Sequence, residues 1–248
     1  MRSLLLALSF LTTLPVGARP GDPARALRWF PLVGGVIGMV LVAVDALARP
    51  VFPLPLRSVI VLAASWLLTG GLHLDGLADT FDGLAAGGDR KRALTVMRDS
   101  RIGSAGATAL VLTLLLKLGA LLELEGGVRS MALLMGPVIG RQAMVIMLSV
   151  HPYAREDGLA GGFFGHGKGE LIWSLLLTAG LSLAAWYVWG GGVGLLVGAT
   201  VALSGAWLLG RHIARRIGGM TGDTLGAVGE LTEVLWLLAV TALRGTWG

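Results

Sequence analysis

Apolar residues in this chain come in long runs, with the polar ones gathered into the gaps between them. Runs near the ~20 residues that a helix needs to cross a bilayer fall at 31–48, 56–72, 105–122, 129–150, 170–188, 193–210 and 225–243. Runs of that length read as membrane spans rather than as half-buried strands or amphipathic helices. The pattern therefore predicts an all-α fold, a polytopic helical membrane protein with about seven transmembrane helices. A shorter stretch, "SLLLALSFLTTLPV", comes first. With Arg2 ahead and "VGA" behind it has the outline of a secretory signal, but further spans follow it instead of a soluble domain. A short N-terminal interfacial or re-entrant helix over residues 1–14 is the expectation. Little chain is left over, so 1–248 reads as a single integral-membrane domain.

Composition agrees with the pattern. Of 248 residues 54% are hydrophobic and only 14% charged, and the mean hydropathy is +0.77, far from an ordinary soluble domain. The absence of cysteine excludes disulfides and thiolate metal sites. The abundant glycine (39 residues) suits close helix packing in lipid.

The charges orient the array. Alternate connections carry Arg19, Arg25 and Arg28, then Arg90, Lys91, Arg92, Arg98 and Arg101, then Arg155 and Lys168, then Arg211, Arg215 and Arg216. The intervening connections and the C-terminal tail hold Arg49, Arg57, Arg129 and Arg244. By the positive-inside rule the first set is cytoplasmic. The net charge of +5 then needs no nucleic-acid partner, although basic loops can also hold anionic substrates.

Polar chemistry collects at that predicted cytoplasmic face. "GGLHLDGLADTFDG" ends the second span, and separations of four and seven put Asp75, Asp79 and Asp82 on one stripe of a helix. Three like charges on one face suit a hard divalent cation such as Mg²⁺, which is often shared between carboxylates and substrate phosphates. The plain alternative is a solvated helix end. Further along, "VMRDSRIGSAG" sets Arg98, Asp99, Ser100 and Arg101 just before a span. That turn fits phosphate binding, because guanidinium groups match phosphate oxygens; its alternative is a membrane anchor. Arg141 lies about 13 Å inside its span at ~1.5 Å per residue, a depth that marks a polar cavity. Asp45 and Lys117 sit nearer the outer ends, where snorkelling accounts for them. The loop "HPYAREDGLAGGFFGHGKGE" offers Arg155, His166 and Lys168 among glycines that allow close approach to an anion. In "TGDTLGAVGELTE", Asp223 and Glu230 share a helical face; Asp223 is either an N-cap or a completion of the acidic site.

"HLDGLADTFDG", "MRDSRIGSAG", "PYAREDGL" and "GMTGDTLGAVGELTE", with "LTTLPV" and "WFPLVGGVIG" near the start, resemble the signature segments of the cobalamin synthase family, the adenosylcobinamide-GDP ribazoletransferases. The similarity runs in order along nearly the whole chain. It implies an Mg²⁺-dependent, multi-pass enzyme of the bacterial inner membrane with its active site facing the cytoplasm. Such an enzyme joins adenosylcobinamide-GDP to α-ribazole or α-ribazole 5′-phosphate, releasing GMP, in the last steps of cobalamin biosynthesis. Its partners would be those substrates and the lipid bilayer, with a homo-oligomer or other late-pathway enzymes as further possibilities and no nucleic acid. "DTFDGLAA" also matches the first half of the CDP-alcohol phosphotransferase pattern, but Gly87 stands where that pattern has arginine and its second half is missing.

Residues and reaction fit each other, since breaking a diphosphate runs on positioning and charge neutralisation. Asp75, Asp79 and Asp82 are the expected metal ligands, with one of them or Asp223 accepting the proton of the attacking hydroxyl. His73 is the competing base. Arg98, Asp99, Ser100, Arg101, Arg141, Arg155 and Glu230 are the expected substrate-binding residues. The rivals are a CDP-alcohol phosphotransferase-like enzyme acting on another substrate and a cation-coupled transporter. A transporter would place its carboxylates near the midplane and show repeats, whereas here the acids cluster at one face.

Overall fold

The computed structural model describes residues 2–17, 21–158, 160–165, 168–190 and 192–244; Arg19 and His166 lie outside the described residues. The described chain is helical, joined by turns and one parallel bridge between Tyr153 and Met220. In order, the helices are α1 (Arg2–Leu11), α2 (Pro23–Ala26), α3 (Phe30–Ala48), α4 (Leu54–Thr69), α5 (Leu72–Ala85), α6 (Arg90–Val96), α7 (Ser104–Leu122), α8 (Gly126–Val150), α9 (Lys168–Trp189), α10 (Gly192–Ile217) and α11 (Gly222–Ala242).

Six helical stretches are long and apolar enough to cross a membrane: Pro23–Ala48, α7, α8, α9, α10 and α11. The run at 56–72 behaves differently. It is split between α4 and α5, which meet at 89°; counting the bent pair as one span gives the expected seven. Gly70 and Gly71 make the corner with φ of 62° and 71°, a left-handed conformation that costs a side-chain-bearing residue free energy. A Cβ on Gly71 would also stand 2.6 Å from Trp66 Nε1. The acidic helix thereby leaves the direction of the span and runs across the end of the bundle. α1 has ten residues, about 15 Å of helix, too short to span; it buries Ala7 and Leu11, and the chain after it is held by Thr13 N–H donating to Leu68 O at 2.8 Å.

α8 is the axis, buried along nearly its whole length, and α3 and α11 pack directly on it. Gly34 and Gly38 of α3 lie against the backbone of Pro137 and Leu134, where a Cβ on either would come within 2.4 Å of a carbonyl oxygen. One turn apart, they let two helices touch backbone to backbone, the small-residue contact expected in lipid. α9 and α10 sit at the periphery and turn Trp173, Trp186 and Leu208 outward.

Two polar networks run through this apolar bundle. Near the start of α8, Arg129 donates to Asp45 at 2.8 Å, to Ser58 at 3.2 Å and to Leu121 O at 2.5 Å, and Arg57 stands 2.9 Å from Asp45. Deeper in, Lys117 Nζ donates to Glu230 at 2.5 Å and Glu233 at 2.7 Å. These contacts correct the snorkelling expectation for Asp45 and Lys117. Both are buried and paired inside the bundle, where an unpaired charge would be far costlier than a matched one.

Candidate active site

The spacing-predicted stripe is real helix: Asp75, Asp79 and Asp82 lie on α5, which crosses the start of α11 at very short range. A Cβ on Gly76 would fall 2.6 Å from Asp223 O, and one on Gly226 would fall 3.0 Å from His73 Cα. These two glycines let α5 and α11 approach so closely that Asp223 joins the stripe from a second helix. The charges of Asp75, Asp223 and Asp82 all act on Asp79, and Arg155 opposes them. Asp223 is not the N-cap of α11. Thr221 is, in a reciprocal capping box with Thr224, which frees the Asp223 carboxylate to meet Arg155 Nη2 at 2.7 Å.

Arg155 reaches that point because its loop is pinned to the turn before α11. Ala154 N–H donates to Met220 O at 2.8 Å, Met220 N–H donates to Pro152 O at 2.9 Å, and Arg90 Nη2 donates to Ala154 O at 2.8 Å. Burial raises the neighbouring Tyr153 phenol above its ordinary value, so near neutral pH it remains a hydrogen-bond donor.

Asp82 faces the other way along the stripe. Its carboxylate accepts from Gly103 N–H at 2.7 Å and Gly106 N–H at 2.8 Å, capping α7 from outside. A Cβ on either glycine would come within 2.4 Å of an Asp82 oxygen, so the glycines of "RIGSAG" form a cradle for a protein carboxylate rather than for a phosphate. A carboxylate has about four acceptor sites, so the amides fix Asp82 without exhausting it. The other members of that turn are spent on acids. Arg98 pairs with Asp157 at 2.6 Å, and Arg101 pairs with Asp99 at 2.7 Å, its guanidinium holding the Asp99 carboxyl down at about 2. Ser100 is exposed beside them.

Arg141 and Glu230 are turned away from this cluster. Arg141 Nη1 donates to Glu233, and its Nη2 donates to His73 Nδ1 at 3.3 Å; Glu230 meets Lys117. Expected as substrate ligands, both belong instead to the buried network of α7, α8 and α11, because each has a counter-charge already in contact. A guanidinium can only donate, so His73 Nδ1 accepts and Nε2 carries the ring proton. His73 is therefore set as a donor, not as the base its neutral-range titration suggested.

Two hollows flank Arg155. A cavity of about 220 Å³ is lined by Phe10, Phe30, Phe163, Met144 and Leu148 together with His73, Asp75, Asp223, Tyr153 and Arg155. A wider cleft of about 760 Å³, lined by Arg90, Lys91, Thr95, Arg98, Arg155 and Asp157 among others, opens beside it. An acidic wall, a central arginine, a largely apolar chamber and a basic cleft together suit a reaction between an anionic donor and a greasy acceptor.

The family model for cobalamin-5-phosphate synthase matches residues 3–241. The chain belongs to the cobalamin-5-phosphate synthase family. It is 42% identical over 246 residues to an adenosylcobinamide-GDP ribazoletransferase of Pseudomonas savastanoi pv. phaseolicola, covering 96% of this chain and 98% of that one. It is 37% identical to one of Geotalea daltonii with 99% of both chains covered, and 41% identical to one of Klebsiella pneumoniae with 97% and 99% covered. No solved structure matches it.

Within this family assignment, the donor chemistry of the acidic wall fits a hard cation in one particular sense. Among the described residues no group of three His, Asp or Glu side chains is arranged to hold a metal ion. Mg²⁺, however, commonly takes one or two carboxylates and completes its shell with water and substrate phosphate, and Asp75, Asp79 and Asp223 supply carboxylates for that. Sequence reasoning missed Glu233, Tyr153, Arg90 and the phenylalanine cluster. Glu233 had a signal, three residues after Glu230 and so on the same helical face. The phenylalanines had none, being brought together from α1, α3 and the 151–165 loop.

Proposed function

We propose that this chain transfers the phosphocobinamide part of adenosylcobinamide-GDP to a ribose hydroxyl of α-ribazole or its 5′-phosphate, releasing GMP, at the cytoplasmic face of a bacterial inner membrane. The observation that carries the chemistry is the meeting of Asp75, Asp79 and Asp223, from two helices, beside Arg155. The printed names of the relatives supply the substrates, and the full-length family match supports carrying them over.

In the step itself, the hydroxyl oxygen attacks the phosphorus bonded to cobinamide, the bond from that phosphorus to the GMP oxygen breaks, and GMP leaves with the electron pair. Arg155 binds the non-bridging oxygens with its planar fork. One of Asp75, Asp79 or Asp223 takes the hydroxyl proton, while the Tyr153 hydroxyl and the His73 Nε2–H offer hydrogen bonds. Mg²⁺, held by one or two of Asp75, Asp79 and Asp223 together with the diphosphate, would neutralise charge on the leaving phosphate when bound. The crossing of α5 over the end of the bundle suits a wall at the membrane boundary, where a large amphipathic corrinoid can lie while its nucleotide stays in water.

The test is GMP release by detergent-purified protein, with no sealed membrane, as Mg²⁺ is titrated. Turnover there excludes a transporter. Asp79→Asn keeps the shape of the side chain but removes its charge, and should lose about 10²-fold or more in rate, the scale of a lost electrostatic contact at a reacting centre. Near-parental turnover in Asp79→Asn, or activity indifferent to chelation, would overturn the carboxylate and metal part of the proposal. Cross-linking in native membranes tests the separate expectation of a homo-oligomer or an assembly with neighbouring pathway enzymes.

A further inference from the structure

The cavity beside the acidic wall has features that the transfer chemistry alone does not use. Three rings from distant parts of the chain converge in it: Phe10 and Phe163 have centroids 4.5 Å apart, Phe30 and Phe163 5.7 Å, and Phe10 and Phe30 6.1 Å. Met144 and Leu148 share the lining with them. In this apolar lining His73 is only 2% exposed, and its Nε2 has no hydrogen-bond partner. Because Arg141 donates to Nδ1, the unpartnered nitrogen bears the proton. A buried N–H without an acceptor is unfavourable, and His73 lines a hollow whose remaining polar groups are the reacting ones.

From this geometry we infer that the cavity is the acceptor-nucleoside subsite: it takes a planar, bicyclic heteroaromatic base among the three phenylalanines, with the His73 Nε2–H donating to the unsubstituted ring nitrogen. The inference rests on the proposed reaction and names where its acceptor sits. The hollow, of about 220 Å³, joins the three rings and the reacting side chains in one lining. A base held in it leaves its ribose hydroxyl at the end where Asp75 and Asp223 wait. The donor nucleotide then lies on the far side of Arg155, in the basic cleft, so that the arginine stands between the two substrates. Apolar walls alone would accept any greasy ring. The His73 Nε2–H gives the site a means of selecting a ring with an acceptor nitrogen, because a group built to pair a substrate atom discriminates more sharply than shape does.

The test uses the full chain in detergent, with α-ribazole and adenosylcobinamide-GDP varied separately. Ala160 lines the cavity and is buried, so Ala160→Leu fills it. Its KM for α-ribazole should rise about tenfold while its KM for adenosylcobinamide-GDP stays within about twofold, the signature of a lost acceptor contact. The second measurement needs no altered fold. The parent should use an α-ribazole analogue with the free ring nitrogen replaced by C–H about tenfold less efficiently in kcat/KM, and His73→Phe should treat the two nucleosides alike. An unchanged α-ribazole KM in well-folded Ala160→Leu, or equal rises in both KM values, would overturn the assignment, as would a parent that does not distinguish the two nucleosides. A parent that releases no GMP from the natural pair would refute the proposed reaction itself, a different failure from that of the subsite.

Discussion

Arg155 and Arg98 offer a controlled comparison, because both make short ion pairs near the same loop but in different surroundings. Arg155 Nη2 stands 2.7 Å from Asp223, with the two side chains 13% and 25% exposed. Arg98 Nη2 stands 2.6 Å from Asp157, with exposures of 55% and 82%. Distance does not separate them, so solvent does. An exposed pair contributes about 0–1 kcal/mol, so losing the Arg98–Asp157 pair should change stability by no more than that. At an effective dielectric constant near 20, two unit charges ~4 Å apart interact by about 4 kcal/mol, and Arg155 faces both the carboxylate wall and the position of the transferring phosphoryl group. Losing one preorganised contact of that kind costs about 10²–10³ in kcat, or roughly 3–4 kcal/mol. We therefore expect Arg155→Met to lose at least about 10²-fold in GMP release, and Arg155→Lys to fall between it and the parent, since the charge remains and the bidentate fork does not. The assay is initial-rate GMP release by detergent-purified protein, with monodispersity checked for each variant. Near-parental turnover in well-folded Arg155→Met, or a stability loss in Arg98→Ala as large as that of breaking a buried pair, would refute the reasoning.

Further expectations follow from other contacts. Gly103→Ala and Gly106→Ala should each depress activity, because the new Cβ would collide with the Asp82 carboxylate at 2.4 Å, whereas Gly119→Ala, with nothing within 4 Å, should be neutral or slightly stabilising in the same rate and thermal assays. Asp45→Asn should lower thermal stability in detergent by about 3–5 kcal/mol, as expected for breaking a buried pair that leaves Arg129 uncompensated, while turnover per folded molecule stays near parental because this network lies at the opposite end from the carboxylate wall; an unshifted melting temperature counts against it. Orientation is read with single cysteines in a chain that has none: in intact spheroplasts an impermeant thiol reagent should label Glu125→Cys and spare Glu156→Cys until lysis, both positions being exposed, and the reverse pattern would invert the topology.

The apolar runs determined the fold class, because in lipid the backbone must satisfy its own hydrogen bonds and a long apolar run has essentially one way to do so. They also located most helices to within a few residues. The exceptions were the run at 193–210, whose helix continues to Ile217, and the run at 56–72, where composition continues smoothly but the left-handed Gly70 and Gly71 break its direction and turn the acidic helix across the bundle. The stripe of Asp75, Asp79 and Asp82 was legible from spacing alone, as helical periodicity is local. What each acid does was not. Asp82 is drawn to the amides of Gly103 and Gly106, while Asp223 is drawn to Arg155, and both outcomes depend on which elements the packing brings alongside. The same holds for the buried charges. Lys117, Arg141, Glu230 and Glu233 can be named one by one from the sequence, but whether such a group snorkels, binds substrate or pairs with a neighbour is decided by its distance to an opposite charge. The aromatic chamber stands furthest from the sequence, since Phe10, Phe30 and Phe163 share no motif or period and meet only because α1, α3 and the 151–165 loop pack at one end of the bundle.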